Sequence, residues 1–454
     1  MTTTLDTDVC VVGAGFAGLT AALRLHQARR SVVVLEAAER LGGRTYTERL
    51  ADGTVVERGG AWLGPGQDRA YALAAEMGVM TYPTWGRGEH VLVRDGIVRR
   101  YRGALPPGVG PLQLAGLGIA MARLDRLAKR VPLEAPWEAA RARRWDAQTV
   151  QSWLDRNTLP GIGRTLLAQV LHDIFTSDLA EVSLLHALFL IHSHQNLNHL
   201  TTIEGGAQQD RLVGGTGAVL GGIHARLGDA VHLTTPVLRI AQVSDGVTVV
   251  SAACTVRARR VVVAVPAATA GRIVYDPPLP IGRAQLLQRM PLGSIWKIAV
   301  VYDAPWWRDD GFSGQSLDPG SPLPLTLDAS GPTTPPGILN LFASGAAARF
   351  LTGVSREERR CAAIQALTHR FGPKAEHVRD YVEQDWSAEP WIAGGMVSRF
   401  GPGVLTTFGP MLRPPVGRIH WAGTETAIIT HGGIDGAIRS GERVADEIAR
   451  AEES

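Results

Sequence analysis

An α/β protein carrying a second, mixed α+β unit is the fold class that these 454 residues predict. Three observations predict it. A β-branched run from Val9 to Val12 is followed by Gly13, Gly15 and Gly18, by an apolar helical stretch from Leu19 to Leu25, and by a second β-branched run, Val32 to Leu35, that ends at Glu36. Near the far end of the chain, His420-Trp421-Ala422-Gly423-Thr424 reads as a strand and turn, and Gly432-Gly433 leads into a helix start at Ile434-Asp435-Gly436. Between these two, helical and strand-like patterns come in long blocks, not unit by unit, so two domains are expected to cross over several times.

The first pattern is the more specific. A short apolar run with no polar alternation fits a parallel strand buried on both faces. Gly13 permits a tight turn, Gly15, beyond Ala14, lets the backbone approach a diphosphate, and Gly18 lets the helix pack close to the strand. The helix that follows offers free amides and a favourable dipole to an anion. Glu36, at the end of the second strand, is placed to accept hydrogen bonds from ribose hydroxyls and to repel a 2′-phosphate. The segment alone does not separate NAD from FAD. Leu41-Gly42-Gly43-Arg44-Thr45 adds a second close backbone approach and a cation for phosphate oxygens.

Composition bounds the rest. The chain is too long for one ordinary core, and its 45% hydrophobic content suits a globular protein. A net charge of +3, from 46 basic and 43 acidic residues, argues for neither nucleic acid nor a charged membrane surface. The basic cluster Arg141, Arg143 and Arg144 reads as a solvated helix face. Cys10, Cys254 and Cys361 have no metal-like spacing, and a reducing, cytoplasmic setting is expected. The stretch Met1 to Asp8 lacks the apolar region of a secretion signal. The longest apolar stretch, Leu112 to Leu124, is broken by Gln113, Gly116, Gly118 and Arg123 and is too short to span a bilayer. No membrane association and no metal are expected, and a homodimer is left open.

Along the chain, residues up to about Thr81 read as strand–helix–strand units. From about Leu105 to Gln195 helices are expected at Leu112 to Val131, Thr149 to Asn157, Ile162 to Phe175 and Leu184 to Ser193. Asp210 to Pro266 returns to α/β, with a helix at Leu220 to Leu227 and strands at Thr248 to Val250 and Val261 to Val265. Ile295 to Glu389 alternates strands with proline-rich turns, Pro319 to Pro324 and Pro332 to Pro336, and with a helix around Arg356 to Phe371.

Gly13 to Gly18, Glu36, Leu41 to Thr45, Gly59-Gly60-Ala61-Trp62-Leu63-Gly64 and Ala422 to Ala427 together resemble the flavin amine oxidases: monoamine oxidases, polyamine oxidases and bacterial relatives. Gly205-Gly206-Ala207-Gln208, Pro236-Val237, Leu292 to Lys297 and Gly441-Glu442-Arg443 extend the resemblance over nearly the whole chain. It implies a discontinuous Rossmann-like FAD-binding domain with a mixed substrate domain, the fold shared with glutathione reductase-like flavoproteins. The FAD domain would be built from residues 1–81, 205–290 and 392–454, the substrate domain from 82–204 and 291–391.

The resemblance also assigns residues. Gly13, Ala14, Gly15, Gly18, Glu36, Gly43, Arg44, Gly60, Ala61, Trp62, Val237, Gly423, Thr424, Gly433 and Ile434 would hold FAD, with Val237 at the adenine, Arg44 at a phosphate and the Ile434 amide at the flavin pyrimidine ring. Trp386 would pack on the isoalloxazine, against a plain reading as a core aromatic. Lys297, in the strand-like Trp296 to Tyr302, has two readings as well. As an edge-strand residue it would snorkel to water; in the family, a lysine at this place sits near flavin N5, holds a water and assists the reaction with oxygen.

Departures from the family pattern are informative. A cysteine that attaches flavin in several members is replaced by Met396, so non-covalent FAD is expected. The two aromatic side chains that enclose the substrate nitrogen in monoamine oxidases fall on Val397 and Gly433. Trp62, Phe175, Trp391 and His431 are candidates to rebuild that wall, with a turn-shaping segment, Thr430-His431-Gly432, as the plain reading of His431. Asp173, Ile174 and Gln208 are further cavity candidates, with an exposed helix charge as the plain reading of Asp173. The implied activity is oxidation of a small amine, with hydride transfer from the α carbon to flavin giving an imine and oxygen reduced to hydrogen peroxide. Without an aromatic pair, a rival is FAD-dependent dehydrogenation of a carbon–carbon bond, as in a cyclic ketone.

Overall fold

The computed structural model describes residues 3–103, 108–333 and 335–453. The start expected for the helical block at about Leu105 lies outside these residues, as do Met1 and Thr2 of the first segment and Thr334 of the turn expected at Pro332 to Pro336.

An eight-stranded sheet forms the first layer. Its order is Val231–His232, Val32–Leu35, Thr3–Val12, Cys254–Val263, Val247–Ser251, Val237–Gln242 and Val274–Asp276, with Ile419–Trp421 also pairing to Cys254–Val263. Thr3–Val12 runs parallel to both of its neighbours. Both faces are covered, which is why Val9 to Val12 reads as unbroken apolar sequence. Val9, Val11 and Val34 pack with Leu19 and Leu23 of the helix Phe16–Gln27 and with Val444 and Ile448 of the C-terminal helix Ile434–Glu453. Cys10, Val12, Val33 and Leu35 face the opposite core. The two helices cross closely, because a Cβ at Gly441 would lie 2.4 Å from the carbonyl oxygen of Ala17. The two ends of the chain are thereby locked together.

The strand expected at Val261 to Val265 is longer at its start and shorter at its end. It runs Cys254–Val263 because Val256 and Ala258 point inward while Arg257 and Arg259 point out, a half-buried alternation that pairs with Val247–Ser251. The helix expected from Leu220 begins at Thr216. Helices Pro111–Ala128, Val150–Asn157, Ile162–Phe175 and Leu184–Ser193 lie where the periodicity places them. The last of these is buried nearly all round, as its continuous apolar sequence requires. Arg141, Arg143 and Arg144 are exposed.

A seven-stranded sheet forms the second layer, in the order Asp380–Asp385, Ile295–Tyr302, Gly337–Ser344, Leu325–Asp328, Phe312–Leu317, Glu89–Arg94 and Ile97–Tyr101. Ile295–Tyr302 is an internal strand, antiparallel to both neighbours. Its side chains alternate between two cores: Trp296, Ile298, Val300 and Tyr302 on one face, Ala299 and Val301 on the other with Val56. Lys297 shares the second face, so the edge-strand reading of this lysine is overturned. A hairpin, Thr47–Arg49 with Val55–Glu57, and a small sheet of Trp62–Leu63, Asp210–Leu212 and Thr81–Pro83 lie between the layers in sequence. Among the described residues no helix is long and apolar enough to cross a membrane, and no group of three or more His, Cys, Asp or Glu is arranged to hold a metal ion.

Candidate active site

One cavity is lined from both ends of the chain. Gly13, Gly15, Glu36, Gly43, Arg44 and Gly60 line it from the N-terminal motifs, with Val237 from the middle block. Trp62, Lys297, Phe342 and Trp386 line it from the second sheet and its connections, and Gly423, Thr424, Gly433 and Ile434 from the C-terminal segment.

The glycines divide into two jobs. Gly13 has φ +103°, and a Cβ there would sit 2.9 Å from Val265 Cγ1. A Cβ at Gly18 would lie 1.9 Å from the carbonyl oxygen of Gly13, so this glycine serves the packing of helix on strand and does not line the cavity. Gly15 differs: nothing stands nearer to its missing Cβ than Gly42 O at 3.8 Å, and the space is left open to the cavity. Gly15 also bridges to Gly42, whose amide donates to Ala14 O at 2.9 Å, so the second glycine turn is fastened to the first. The helix Phe16–Gln27 that starts here has no side-chain cap and no acidic residue in its first turn. Open glycine space beside uncapped helix amides fits a dinucleotide's pyrophosphate.

Two assigned partners are already engaged within the protein. The Glu36 carboxylate accepts from the Ala14 amide at 2.6 Å and the Ala38 amide at 2.9 Å. It holds the turn as well as lining the cavity, and burial raises its pKa. Arg44, expected at a phosphate, lines the cavity and is also fixed within the protein. Its guanidinium meets Glu425 at 2.6 and 3.1 Å, and it also donates to Met396 O. Burial works to raise the Glu425 carboxyl, but Arg44 overrides it and holds it below the ordinary value. The partner was missed because Glu425 lies 381 positions away. Ala14 and Ala61 do not line the cavity: Ala14 acts through its amide, and Ala61 is buried.

Lys297 is buried at 4% exposure. Its Nζ donates to Gly59 O at 2.8 Å and stands 4.7 Å from the Trp62 ring centroid and 5.7 Å from that of Phe342, its cross-strand partner. Burial pushes the ammonium down to about 7, while the Glu57 carboxylate pulls it up. Glu57 is itself buried, accepting from Thr47 Oγ1 and the Thr216 amide, each at 2.6 Å. Trp386 is buried, with its indole donating to Arg58 O at 3.0 Å. Thr424 Oγ1 donates to Gly433 O at 2.9 Å, tying the Gly423–Thr424 turn to the start of the last helix.

The expected substrate residues do not gather at this cavity. None of Asp173, Ile174, Phe175, Gln208, Val397 and His431 lines it. Phe175 packs edge-on to His186 at 5.3 Å, and His431 sits among His186, Phe189 and Phe400 in the core. Asp173 accepts from Ser344 Oγ at 2.7 Å and Gln169 Nε2 at 3.0 Å, and Gln208 donates to Leu200 O. Ile174 packs on the helical core, and Val397 is buried against Gly432. Periodicity put the first three on one helix without saying that its apolar face turns to the helical core. Of the four aromatic candidates, Trp62 and Trp391 line the cavity, and Phe342 joins them. Phe342 was missed because only strand register places it opposite Lys297. Arg40 was missed too: it lines the cavity, donates to Gly43 O and Thr45 O, and lies 4.3 Å from the Tyr46 ring.

Comparison with known proteins agrees with this geometry. The model of the family described as flavin containing amine oxidoreductase matches residues 16–449. A Mycobacterium tuberculosis protein provisionally named flavin-containing monoamine oxidase AofH is 40% identical over 446 residues, covering 97% of this chain and 96% of that one. Putrescine oxidase, solved with putrescine bound, superposes with a TM-score of 0.94 at 34% identity, over 98% of this chain and all (100%) of that one. Cyclohexylamine oxidase from Brevibacterium oxydans superposes with a TM-score of 0.95 at 33% identity, over 99% and 100%. The match of motifs, cavity and whole-chain relatives has one conclusion: this chain belongs to the flavin-containing amine oxidoreductases and is an oxidoreductase enzyme.

Proposed function

We propose that the chain is an FAD-dependent oxidase of a small amine that uses oxygen and holds its FAD without a covalent bond. The observation that carries this is a single cavity joining Gly13, Gly15 and Glu36 to Lys297, Trp62 and Trp386. FAD, when bound, supplies a two-electron acceptor for the hydride on the carbon next to the amine nitrogen. Net, a primary amine, oxygen and water give a carbonyl compound, ammonia and hydrogen peroxide, with the imine released before water attacks it.

The chain's own residues orient, desolvate and tune. Gly13, Gly15 and the first amides of the helix Phe16–Gln27 would hold the pyrophosphate, and the lone pairs that Glu36 retains would face a ribose. Trp62, Trp386 and Phe342 offer apolar surface that keeps water away from the reacting carbon. The N-terminus of the C-terminal helix at Ile434 favours negative charge at its end of the cavity. Lys297, with an ammonium brought close to neutrality, places a cation or a held water in a dry site where oxygen takes up electrons. Met396 lines the cavity where several relatives carry the linking cysteine, and a thioether cannot form that bond. The division into an FAD domain of 1–81, 205–290 and 392–454 and a substrate domain of the remainder belongs to the same proposal, as does a cytoplasmic location.

A panel of amines with coupled peroxide detection tests the reading. Amines should bleach the flavin anaerobically and yield peroxide in air. Bleaching by a cyclic ketone and by no amine overturns it in favour of carbon–carbon dehydrogenation. Fast bleaching with little peroxide replaces oxygen by a carrier protein. Acid precipitation should release all the yellow colour; colour retained in the pellet contradicts non-covalent binding.

A further inference from the structure

We propose that His194 provides the hydrogen-bond acceptor for an N–H of the substrate amine, standing behind the glycine that takes the place of an aromatic wall at position 433. The inference rests on the amine reading above and adds a specificity-determining residue to it.

Gly433 lines the cavity; His194 stands one layer behind it and is not itself part of the lining. A Cβ built on it would point at His194, reaching Nε2 at 3.8 Å, with Thr430 O at 3.2 Å as its nearest contact. The direction in which relatives project an aromatic side chain is therefore the direction in which this chain presents an imidazole.

The hydrogen-bond network assigns the tautomer of that ring. His194 follows the helix Leu184–Ser193, and its Nδ1 lies 3.1 Å from Ser193 Oγ and 3.2 Å from Leu190 O. The Ser193 hydroxyl donates its proton to Leu190 O at 2.8 Å. Both neighbours of Nδ1 thus accept, so Nδ1 carries the hydrogen and Nε2 presents a lone pair. Among the described residues, no group hydrogen-bonds to Nε2, although the residue is only 7% exposed. Burial pushes the imidazole pKa down to about 4; Leu190 O and Asp435 oppose the fall and His199 adds to it. The ring is neutral in ordinary buffers and does not repel a cationic amine.

Its position is fixed. The Thr430 amide donates to Ser193 O at 2.9 Å and the His431 amide to Ser193 Oγ at 3.3 Å, and Gly433 N returns to Thr430 O at 2.9 Å. The helix end that holds the acceptor and the loop that opens the window in front of it are one hydrogen-bonded unit. An accessible ring nitrogen without a partner among the described residues, on a side chain otherwise buried and held beside a cavity-lining glycine, is what a site for a ligand N–H requires.

The test uses the FAD-loaded protein with cyclohexylamine as substrate and 1-methylcyclohexylamine as a probe that lacks the oxidisable hydrogen. His194→Leu should raise the cyclohexylamine KM and the calorimetric Kd of the probe at least about tenfold, with kcat within about threefold and FAD content unchanged. His194→Gln, which retains an acceptor, should recover most of the affinity. Unchanged KM and Kd in His194→Leu overturn the proposal, and so does a His194→Gln variant as poor as His194→Leu. Gly433→Ala, at ordinary backbone angles, screens Nε2 without altering the histidine and should also weaken the probe; no change there counts against the proposal even if His194→Leu does not fold. A wild-type protein that oxidises amines while the variants bind normally sinks this inference alone. A wild-type protein that neither binds the probe nor oxidises any amine sinks the amine reading with it.

Discussion

The nucleotide end and the chemical end of the cavity are built on different principles. At the nucleotide end, Gly13, Gly15, Gly18 and Glu36 lie within 24 consecutive residues, and backbone geometry does the work. A turn, a helix start and a strand end are sufficient. At the chemical end, Trp62, Lys297, Phe342 and Trp386 come from four separate stretches, and side chains do the work. The first end is tolerant of what surrounds it and intolerant of an added Cβ. The second places its aromatic side chains on strands and connections far apart in sequence.

Arg44 tests that contrast most severely, because it belongs to the local nucleotide motif yet pairs with Glu425, 381 positions away. Arg44→Ala should cost the cofactor-free protein about 3–5 kcal/mol by leaving Glu425 buried without its cation, read as a fall in thermal midpoint that Glu425→Gln partly restores. Loss of FAD affinity with unchanged cofactor-free stability would return Arg44 to the phosphate. Next in size, Gly18→Ala should destabilise by ~3 kcal/mol through its contact with Gly13 O, whereas Gly15→Ala should fold normally and lose FAD affinity. Equal effects on folding would erase the division of labour between the two glycines.

Lys297→Met should slow oxygen consumption by roughly 100-fold, the scale of removing one preorganised charge, while retaining FAD. The sign with pH follows from the depressed pKa: the ammonium is present below about 7 and lost above it. The oxygen reaction of the wild type should therefore weaken as pH rises through about 7, and the methionine variant should lack that step. A pH-independent wild-type rate would remove the charge from the mechanism. The smallest effect is expected at Asp173→Asn. Its carboxylate serves Ser344 and Gln169 away from the cavity, so KM should stay within about twofold; a large rise would bring this helix back to the substrate.

Much of this was legible from sequence at the nucleotide end. Strand, three glycines, helix, strand and acid form a local code, and each glycine's purpose follows from its spacing. Lys297 was legible as a candidate through the family resemblance, while its own strand read equally as an edge; only the sheet order makes it internal. The wall around it was not legible. Phe342 reaches Lys297 by antiparallel register, Glu57 by the folding of a hairpin onto that sheet, and His194 through a window seen only when Gly433 has a direction. Phe175 and His431, chosen for their aromatic character, turn instead to the core formed with His186, Phe189 and Phe400.

The sequence by itself determined the strand–helix–strand unit at the N-terminus, the strand that carries Lys297, the long helices, the dinucleotide turn and the family. These depend on periodicity and on conformations that glycine alone adopts cheaply, both written in adjacent residues. Only the tertiary structure decided which charges are free and which side chains meet. Arg44 finds Glu425, Lys297 lies within reach of Glu57's field and His194 faces Gly433, because close approach in a packed interior is set by the crossing of elements hundreds of positions apart, and no local pattern records it.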